Sequence, residues 1–404
     1  MIGDTPKPKK TICKDFIEKL AGLYIDGFSL LSGYIATFYL PLFEKIPWIF
    51  IMFPLLLTMR GDISGSFVGS ITTGLHVGNI KPSIFKNTKD YYGLISAYLV
   101  VGSLDAMWIA VLSFFCAIFV FHMYAIDFLI FLFVALSTIL ISGFFSVSYS
   151  SALAFITFKK SLDPDDVTYP VVSSVDDSAI ALVYLIVNTV AILINHIFIY
   201  GLVFAELFFI TLFYGYSYTM FHSNLSFRSF IKEVSVIPLV TTTLAIIEGG
   251  VLTAFESALT QYPAILIILP LLMDALGDQS AIVASNLTTD LAIGTVKSDF
   301  KSIITYKHLY YLTGISFLAG TIMMETYGLL ICITSGSCLI ILSLIIIENL
   351  LSIIPLFFVT IVTIYLTFTH GLDPDHFTIP VLSSLTDVLA TVLSYLIVTW
   401  IFLV

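Results

Sequence analysis

The sequence predicts an all-α integral membrane protein of about eleven spans, with two parallel five-helix repeats joined by one linking transmembrane helix. Three observations carry this prediction: the composition, the spacing of long apolar segments, and an internal repeat. Of the 404 residues, 58% are hydrophobic and 11% are charged, whereas a soluble domain has roughly 25% charged residues. The composition excludes an ordinary soluble enzyme and a nucleic-acid-binding protein, so the expected surroundings are the lipid bilayer.

A helix that crosses the hydrocarbon layer needs about 20 mainly apolar residues. By this rule the chain has eleven spans, at 22–43, 48–74, 93–120, 127–157, 168–195, 199–221, 234–256, 264–292, 309–333, 338–368 and 378–404. The least obvious boundary lies at Asn195-His196, because the apolar pattern continues through it.

Basic residues support this boundary, because Lys and Arg favour cytoplasmic loops. With eleven spans and a cytoplasmic N-terminus, all but two of the 17 basic residues fall on the cytoplasmic side. The exceptions are Lys45 and Arg60, and Arg60 lies inside a span. A single span over 168–221 would instead move Arg228 and every later basic residue outside. We therefore expect a multi-pass protein of the cell membrane with its C-terminus outside.

The internal repeat is specific enough to exclude apolar coincidence. Residues 47–78 match residues 263–294, and the segment from Leu162 matches the segment from Leu372. The matched pairs include Pro54/Pro270, Gly61/Gly277, Asp62/Asp278, Gly78/Gly294, Asp163/Asp373, Ser174/Ser384 and Asp177/Asp387.

This repeat predicts the domain organisation. The first repeat occupies 1–198, the linking helix and its loop 199–228, and the second repeat 229–404. Each repeat has five spans, an odd number, so joining the copies directly would invert the second one. The extra linking span restores the same orientation in both copies. Parallel copies are related by a pseudo-two-fold axis along the membrane normal, and matched residues then meet at equal depth around a central pathway.

Asp177 and Asp387 are the first candidate site residues, because an ionisable residue within a span is costly and is by default a functional hypothesis. Each lies about ten residues into the last span of its repeat, roughly 15 Å from the start of the helix. Two facing carboxylates repel each other unless a cation lies between them. A divalent cation is the simplest occupant, and hydrogen bonding to neighbouring hydroxyls is the structural alternative.

The second helix of each repeat supplies a further pair, Asp62 and Asp278. Pro54 and Pro270 precede them, which predicts a kinked or broken helix whose freed carbonyls could surround a hard cation. The structural alternative is a seam of small residues, such as Gly61 and Gly69, at which helices approach closely. The remaining site candidates are Asp274, Asp290, Ser174 and Ser384.

Other charged residues have structural interpretations. Asp163 and Asp373, each followed by proline, are typical helix N-caps, and Asp165, Asp166 and Asp375 could attract cations at the cytoplasmic mouth. Arg60 is expected to be an internal counter-ion. The seven histidines lie mostly at span ends, and the cysteines show no metal-binding spacing, so the ligands are oxygens. Oxygen ligands suit Mg²⁺ or Ca²⁺, and Mg²⁺ needs only one or two carboxylates because it retains its waters.

These motifs resemble the MgtE-type magnesium channels and the related magnesium solute carriers. Bacterial members are homodimers of five-span subunits with a pore on the two-fold axis, and the solute carriers have two repeats in one chain. The resemblance therefore implies a pore complete in one chain, with a homodimer still open. It also implies that Asp177 and Asp387 are the main Mg²⁺ site, with Mg²⁺ as the transported ion.

This sequence departs from the family in two ways. Bacterial members usually have Gly-Asn where this chain has Gly61-Asp62 and Gly277-Asp278, which adds negative charge beside the pathway. Their cytosolic magnesium-sensing domains have no counterpart before the first span, so we expect gating by another route, with coupling to Na⁺ or H⁺ left open.

Two other functions are alternatives to cation transport. The first is a proton- or sodium-coupled carrier of an organic solute that uses the intramembrane aspartates as coupling sites. The second is an intramembrane aspartyl protease, which typically has a Gly-x-Gly-Asp motif. Met59 and Ala275 stand in place of the first glycine of that motif, so the sequence disfavours a protease.

Overall fold

The computed structural model describes residues 12–43, 45–123, 127–160, 164–292, 294–369 and 374–402. Within these ranges the chain forms helices and no strands. Asp163 and Asp373, the expected helix caps, lie outside the described residues, and the side chains of Asp165, Asp166 and Asp375 are also outside the description.

The N-terminal segment is helical but changes its geometry along its length. It contains α1 (Ile12–Leu23), α2 (Leu30–Ala36) and α3 (Leu40–Phe43), with 3₁₀ turns at Tyr24–Ser29 and Thr37–Tyr39 between them. We call residues 12–43 the entry segment. It contains the first expected span, 22–43, as several short helical pieces and not as one long helix.

The rest of the first repeat consists of four long helices, followed by the linking helix. These are α4 (Ile49–Val77), α5 (Lys89–Phe119), α6 (Phe128–Lys159), α7 (Pro164–Leu193) and the linking helix α8 (His196–Phe221).

The second repeat begins with short helices and then follows the first. Its helices are α9 (Leu225–Val234), α10 (Ile237–Ala254), α11 (Glu256–Gln261), α12 (Pro263–Ala292), α13 (Phe300–Ile304), α14 (Lys307–Ser335), α15 (Cys338–Thr369) and α16 (Pro374–Ile397), which a π turn at Val398–Phe402 extends.

Ten helices in the described ranges are long and apolar enough to cross a membrane. They coincide with the expected spans after the entry segment, which confirms the helical, multi-span architecture. The boundary near Asn195 is also confirmed: α7 ends at Leu193, and the Asn195 side chain caps α8 by accepting a hydrogen bond from the Ile197 amide at 3.1 Å.

Of the two expected effects of Pro54 and Pro270, a break in the helix is wrong, and a kink stays a prediction. α4 continues through Pro54, and α12 continues through Pro270. A proline removes one backbone hydrogen bond from a helix, and the remaining bonds of these 29- and 30-residue helices hold them together.

The two repeats exchange their first helices. α2 packs against α12 of the other repeat and α7 of its own, and its counterpart α10 packs against α4 of the other repeat and α16 of its own. The last helix of each repeat packs on the second helix of the same repeat, α7 on α4 and α16 on α12. The helices that carry the candidate aspartates therefore form the centre of the molecule.

Matched glycines make this exchange possible. A Cβ atom built on Gly249 would lie 2.3 Å from the Ile51 carbonyl oxygen, and one on Gly33 would lie 2.3 Å from the Ile267 carbonyl oxygen. Gly33 and Ile51 occupy the same repeat positions as Gly249 and Ile267. The same backbone approach is thus made twice, once on each side of the pseudo-two-fold axis.

The linking helix lies at the periphery. α8 packs against α5 and α6, and its large apolar residues, including Phe204 and Phe209, are exposed. In a bilayer this surface faces lipid. α8 therefore connects the repeats without separating their central helices.

Candidate functional site

Asp177 and Asp387 occupy equivalent positions on α7 and α16, and both are half-buried. The two carboxylates are close enough to interact electrostatically. The structure thus brings together the two residues that the repeat singled out. Their helices come from different repeats, so the pair lies at the interface between them.

Asp274 supplies a third carboxylate near this pair, and we call Asp177, Asp387 and Asp274 the central group. Asp274 lies on α12 and interacts electrostatically with both Asp177 and Asp387. Its side chain also lies close to the Ser29 hydroxyl of the entry segment. Asp274 has no acidic counterpart, because the matched residue is Thr58.

Asp62 and Asp278 lie beside the central group, and each contacts the exchanged helix of the other repeat. Asp62 is buried on α4 and accepts a hydrogen bond from Thr241 Oγ1 on α10. Asp278 on α12 shares a side-chain hydrogen bond with Asp26 of the entry segment. One contact pairs a carboxylate with a hydroxyl and the other pairs two carboxyl groups. Each aspartate has its own partner, so the pair does not form the shared dyad of an aspartyl protease.

The glycine-seam alternative is wrong for Gly61 and Gly69. A Cβ atom on either residue would have no neighbouring atom within 4 Å, whereas a tight helix contact would place backbone or side chain there. Gly69 instead lines a cavity of about 270 Å³ at one end of α4, together with Ser66, Ser70 and Thr73. Small and hydroxyl-bearing residues therefore continue from Asp62 toward that end of the helix.

Arg60 is an internal counter-ion, as expected, and its partner is Asp176. The Arg60 Nη2 donates to Asp176 Oδ1 at 3.0 Å and to the Ser142 carbonyl oxygen at 3.1 Å. Its guanidinium carbon lies 5.3 Å from the centre of the Tyr98 ring. Both members of the ion pair are 1% exposed at the side chain.

Two hydroxyls complete the environment of Asp176. Ser146 donates to Oδ2 at 3.0 Å, and the Tyr149 hydroxyl donates to Oδ1. We call Arg60, Asp176, Ser146 and Tyr149 the buried ion-pair network. It adjoins the central group, because Asp176 precedes Asp177 and Arg60 interacts electrostatically with Asp177.

The second repeat lacks this network. The residues matched to its four members are Leu276, Thr386, Leu356 and Val359. Sequence reasoning missed Asp176, which has no acidic match in the second repeat. The available signal was an unpaired basic residue within one span and a doubled acid, Asp176-Asp177, within another.

The remaining candidates lie at the edge of the site or bond within their own helix. Asp290 accepts a hydrogen bond from the Tyr306 hydroxyl at 3.0 Å near the end of α12, and burial and this carboxylate raise the pKa of Tyr306 to about 12. The Ser384 hydroxyl donates to the Pro380 carbonyl oxygen at 3.1 Å. Ser174 is buried.

The central group does not form a compact metal cage. In the parts of the chain that the structure describes, no three Asp, Glu, His or Cys side chains are placed to hold one metal ion together. A cation attracted to these carboxylates would meet them singly or in pairs and would keep other ligands. Mg²⁺ behaves in this way in proteins, where it usually retains several waters.

The comparison with protein families agrees with this site. The family described as "MgtE: Divalent cation transporter" matches the chain twice, over residues 53–187 and 269–397, which is more than half of its length. The chain belongs to this family of divalent cation transporters. It is a multi-pass membrane protein with two MgtE-type repeats, which confirms the resemblance identified from its motifs.

Searches among curated proteins and among solved structures gave no match.

Proposed function

We propose that the protein carries Mg²⁺ across the membrane along the pseudo-two-fold axis between its repeats. The observation that carries this proposal is the meeting of Asp177 and Asp387, one from each repeat, beside Asp274. Carboxylates held close together attract a cation, because without one their mutual repulsion is not offset. One chain contributes both halves of the site, so the pathway is complete in a monomer.

The donor set favours Mg²⁺ among divalent cations. The central group offers carboxylate oxygens, and these suit hard cations better than the softer metals that prefer Cys and His. Ca²⁺ takes six to eight oxygen ligands, whereas Mg²⁺ is bound through one or two carboxylates and retains water. The scarcity of converging carboxylates therefore fits a partly hydrated Mg²⁺ better than a dehydrated Ca²⁺.

The distribution of charge supports an orientation with the N-terminus in the cytoplasm and the C-terminus outside. In that orientation the end of α4 near Gly69 faces the cytoplasm. The cavity lined by Ser66, Ser70 and Thr73 then lies on the cytoplasmic side of Asp62.

The proposal is tested by removing both central charges. Asp177→Asn together with Asp387→Asn keeps the size of the side chains, and we expect it to abolish Mg²⁺ flux into proteoliposomes. Glu348→Gln is the matched control, because Glu348 is buried elsewhere in the second repeat and accepts a hydrogen bond from Ser394 at 2.6 Å. Its flux should equal that of the wild type. Unchanged flux in the double variant would contradict the proposal, because it would show that Mg²⁺ crosses without the two central carboxylates.

A second measurement distinguishes passive from coupled transport. Mg²⁺ flux is recorded in the same proteoliposomes with and without an opposing Na⁺ or H⁺ gradient. Flux that follows the Mg²⁺ gradient alone indicates a channel. Flux that an Na⁺ or H⁺ gradient drives against the Mg²⁺ gradient indicates an exchanger.

A further inference from the structure

Glu248 is a buried carboxyl group on an exchanged helix. It lies on α10, is 1% exposed, and has no acidic match in the first repeat. Its neighbour Gly249 approaches the Ile51 backbone so closely that any larger residue would collide with it. α10 also packs against α16, the helix of Asp387. Close packing on α4 therefore fixes the depth at which Glu248 faces the centre of the molecule.

The Glu248 side chain is directed toward the site and is incompletely bonded. Glu248 is one of three carboxyl groups close enough to Asp387 to act on it electrostatically, with Asp274 and Asp62. Its Oε2 atom is buried and has no hydrogen-bond partner. A buried carboxylate oxygen without a partner carries the full cost of its desolvation, so this atom is available to a ligand that enters the pathway.

The two halves of the site therefore carry different charge. Asp177 has the Arg60 guanidinium among its electrostatic neighbours, in addition to carboxylates. The charged neighbours of Asp387 are all carboxyl groups. The residue matched to Glu248 is Ser32, and its hydroxyl donates to the Ser29 carbonyl oxygen at 2.7 Å within the entry segment. The surroundings of Asp387, in the second repeat, are therefore more negative than those of Asp177.

We propose that Glu248 is a further cation-binding residue, which acts with Asp387 to make the second-repeat half the stronger cation site. This inference rests on the proposed function. The carboxyl groups do not converge on a shared metal position within the described ranges, so Glu248 contacts the ion through its retained water. Such water-mediated contacts hold Mg²⁺ at sites with few direct carboxylate ligands.

The test compares Glu248→Gln with Glu348→Gln. Both changes remove one buried carboxyl group and keep its size, but Glu348 accepts a hydrogen bond from Ser394, whereas Glu248 acts electrostatically on Asp387. Mg²⁺ flux into proteoliposomes is measured as a function of Mg²⁺ concentration. We expect Glu248→Gln to raise the half-saturating concentration about 10–100-fold, the usual effect of losing an outer contact to a metal site. Glu348→Gln should leave it unchanged.

Double variants show whether the effect of Glu248→Gln depends on Asp387, as a shared binding role requires, or reflects only the loss of one negative charge. Glu248→Gln is combined with Asp387→Asn and, separately, with Asp177→Asn, and equilibrium Mg²⁺ binding is measured from the rise in thermal stability with added Mg²⁺. The effect of Glu248→Gln should be much smaller in the Asp387→Asn background than in the Asp177→Asn background. Equal effects in the two backgrounds would overturn the proposal.

Two outcomes separate this inference from the proposed function. If the Asp177→Asn, Asp387→Asn double variant keeps its flux, the proposed function fails. If that double variant is inactive while Glu248→Gln binds Mg²⁺ like the wild type, only the role of Glu248 fails. Glu248→Ser, which installs the residue of the first repeat, provides the same comparison if the glutamine variant does not fold.

Discussion

Arg60 illustrates what a charged side chain needs inside a membrane protein. Moving a charge out of water is expensive, and a partner repays the cost only if the geometry is good and the remaining atoms are hydrogen-bonded. Asp176 supplies the opposite charge, and Ser146 and Tyr149 satisfy the Asp176 carboxylate. Removing one member of the buried ion-pair network therefore leaves the others buried without their partner.

We expect Arg60→Leu to lower the free energy of unfolding by about 3–5 kcal/mol, because it leaves Asp176 as an uncompensated buried charge. Arg60→Leu combined with Asp176→Thr installs the pair of residues found in the second repeat, and most of the stability should return. Unfolding in detergent measures both variants. A double variant as unstable as the single one would show that the ion pair itself is not the cause.

At the residue scale, the sequence predicts the members of the site that the repeat duplicates. Asp177 and Asp387 could be identified because two copies of a motif carry them at one depth. Asp176, Glu248 and Asp26 could not, because they have no acidic match and their roles depend on which helices pack together. Side-chain partners such as Thr241 for Asp62 come from a different repeat, and the pattern along one helix gives no information about them.

At the scale of helices, the apolar segments predict the spans closely because a span needs a minimum apolar length. The entry segment departs from a regular α-helix at its two 3₁₀ turns. Ser29, Ser32 and Thr37 each donate a hydroxyl hydrogen bond to the carbonyl oxygen three residues earlier. Such bonds compete with the regular helical pattern, and they recur around both 3₁₀ turns. The pattern of apolar residues along the sequence does not predict these hydrogen bonds.

Adjacent glycines on α10 allow a matched test of helix packing. We expect Gly249→Ala to cost roughly 1–3 kcal/mol, as overpacking usually does, because the new Cβ atom would lie 2.3 Å from the Ile51 carbonyl oxygen. Gly250→Ala is the control, since a Cβ atom there meets open space. Thermal unfolding in detergent compares the two.

Gly33→Ala provides an independent check on the other side of the pseudo-two-fold axis. Its Cβ atom would meet the Ile267 carbonyl oxygen at 2.3 Å, so the loss of stability should resemble that of Gly249→Ala. Equal stability of Gly249→Ala and Gly250→Ala would contradict the close approach.

At the scale of the whole molecule, the sequence predicts the repeats and their shared orientation but not the exchange of first helices. The repeat could be found by matching residues along the chain. The exchange depends on which of two equivalent partners each first helix selects in space. A five-span repeat packed on itself and one packed on its neighbour would have the same internal sequence pattern.

Two native cysteines test the orientation of the whole chain. Cys13 and Cys338 are exposed, whereas Cys116 and Cys332 are buried. With the N-terminus inside, Cys338 lies at an outer loop, so a membrane-impermeant maleimide should label it in intact cells. Cys13 should react only after the membrane is permeabilised, because it lies on the cytoplasmic side.

Cys338→Ser and Cys13→Ser assign each signal to its residue. Labelling of Cys13 in intact cells, with Cys338 protected, would reverse the proposed orientation.

The exchange of first helices also sets an order of events during synthesis. The Gly33 backbone contacts Ile267, a residue that is made more than 200 positions later along the chain. At roughly 5–20 residues per second, the entry segment therefore waits on the order of tens of seconds in the bilayer before this partner exists. During that interval the small-residue surface of the segment is exposed to lipid and to other newly made chains. The closing of the first helix onto the second half therefore cannot precede the synthesis of α12.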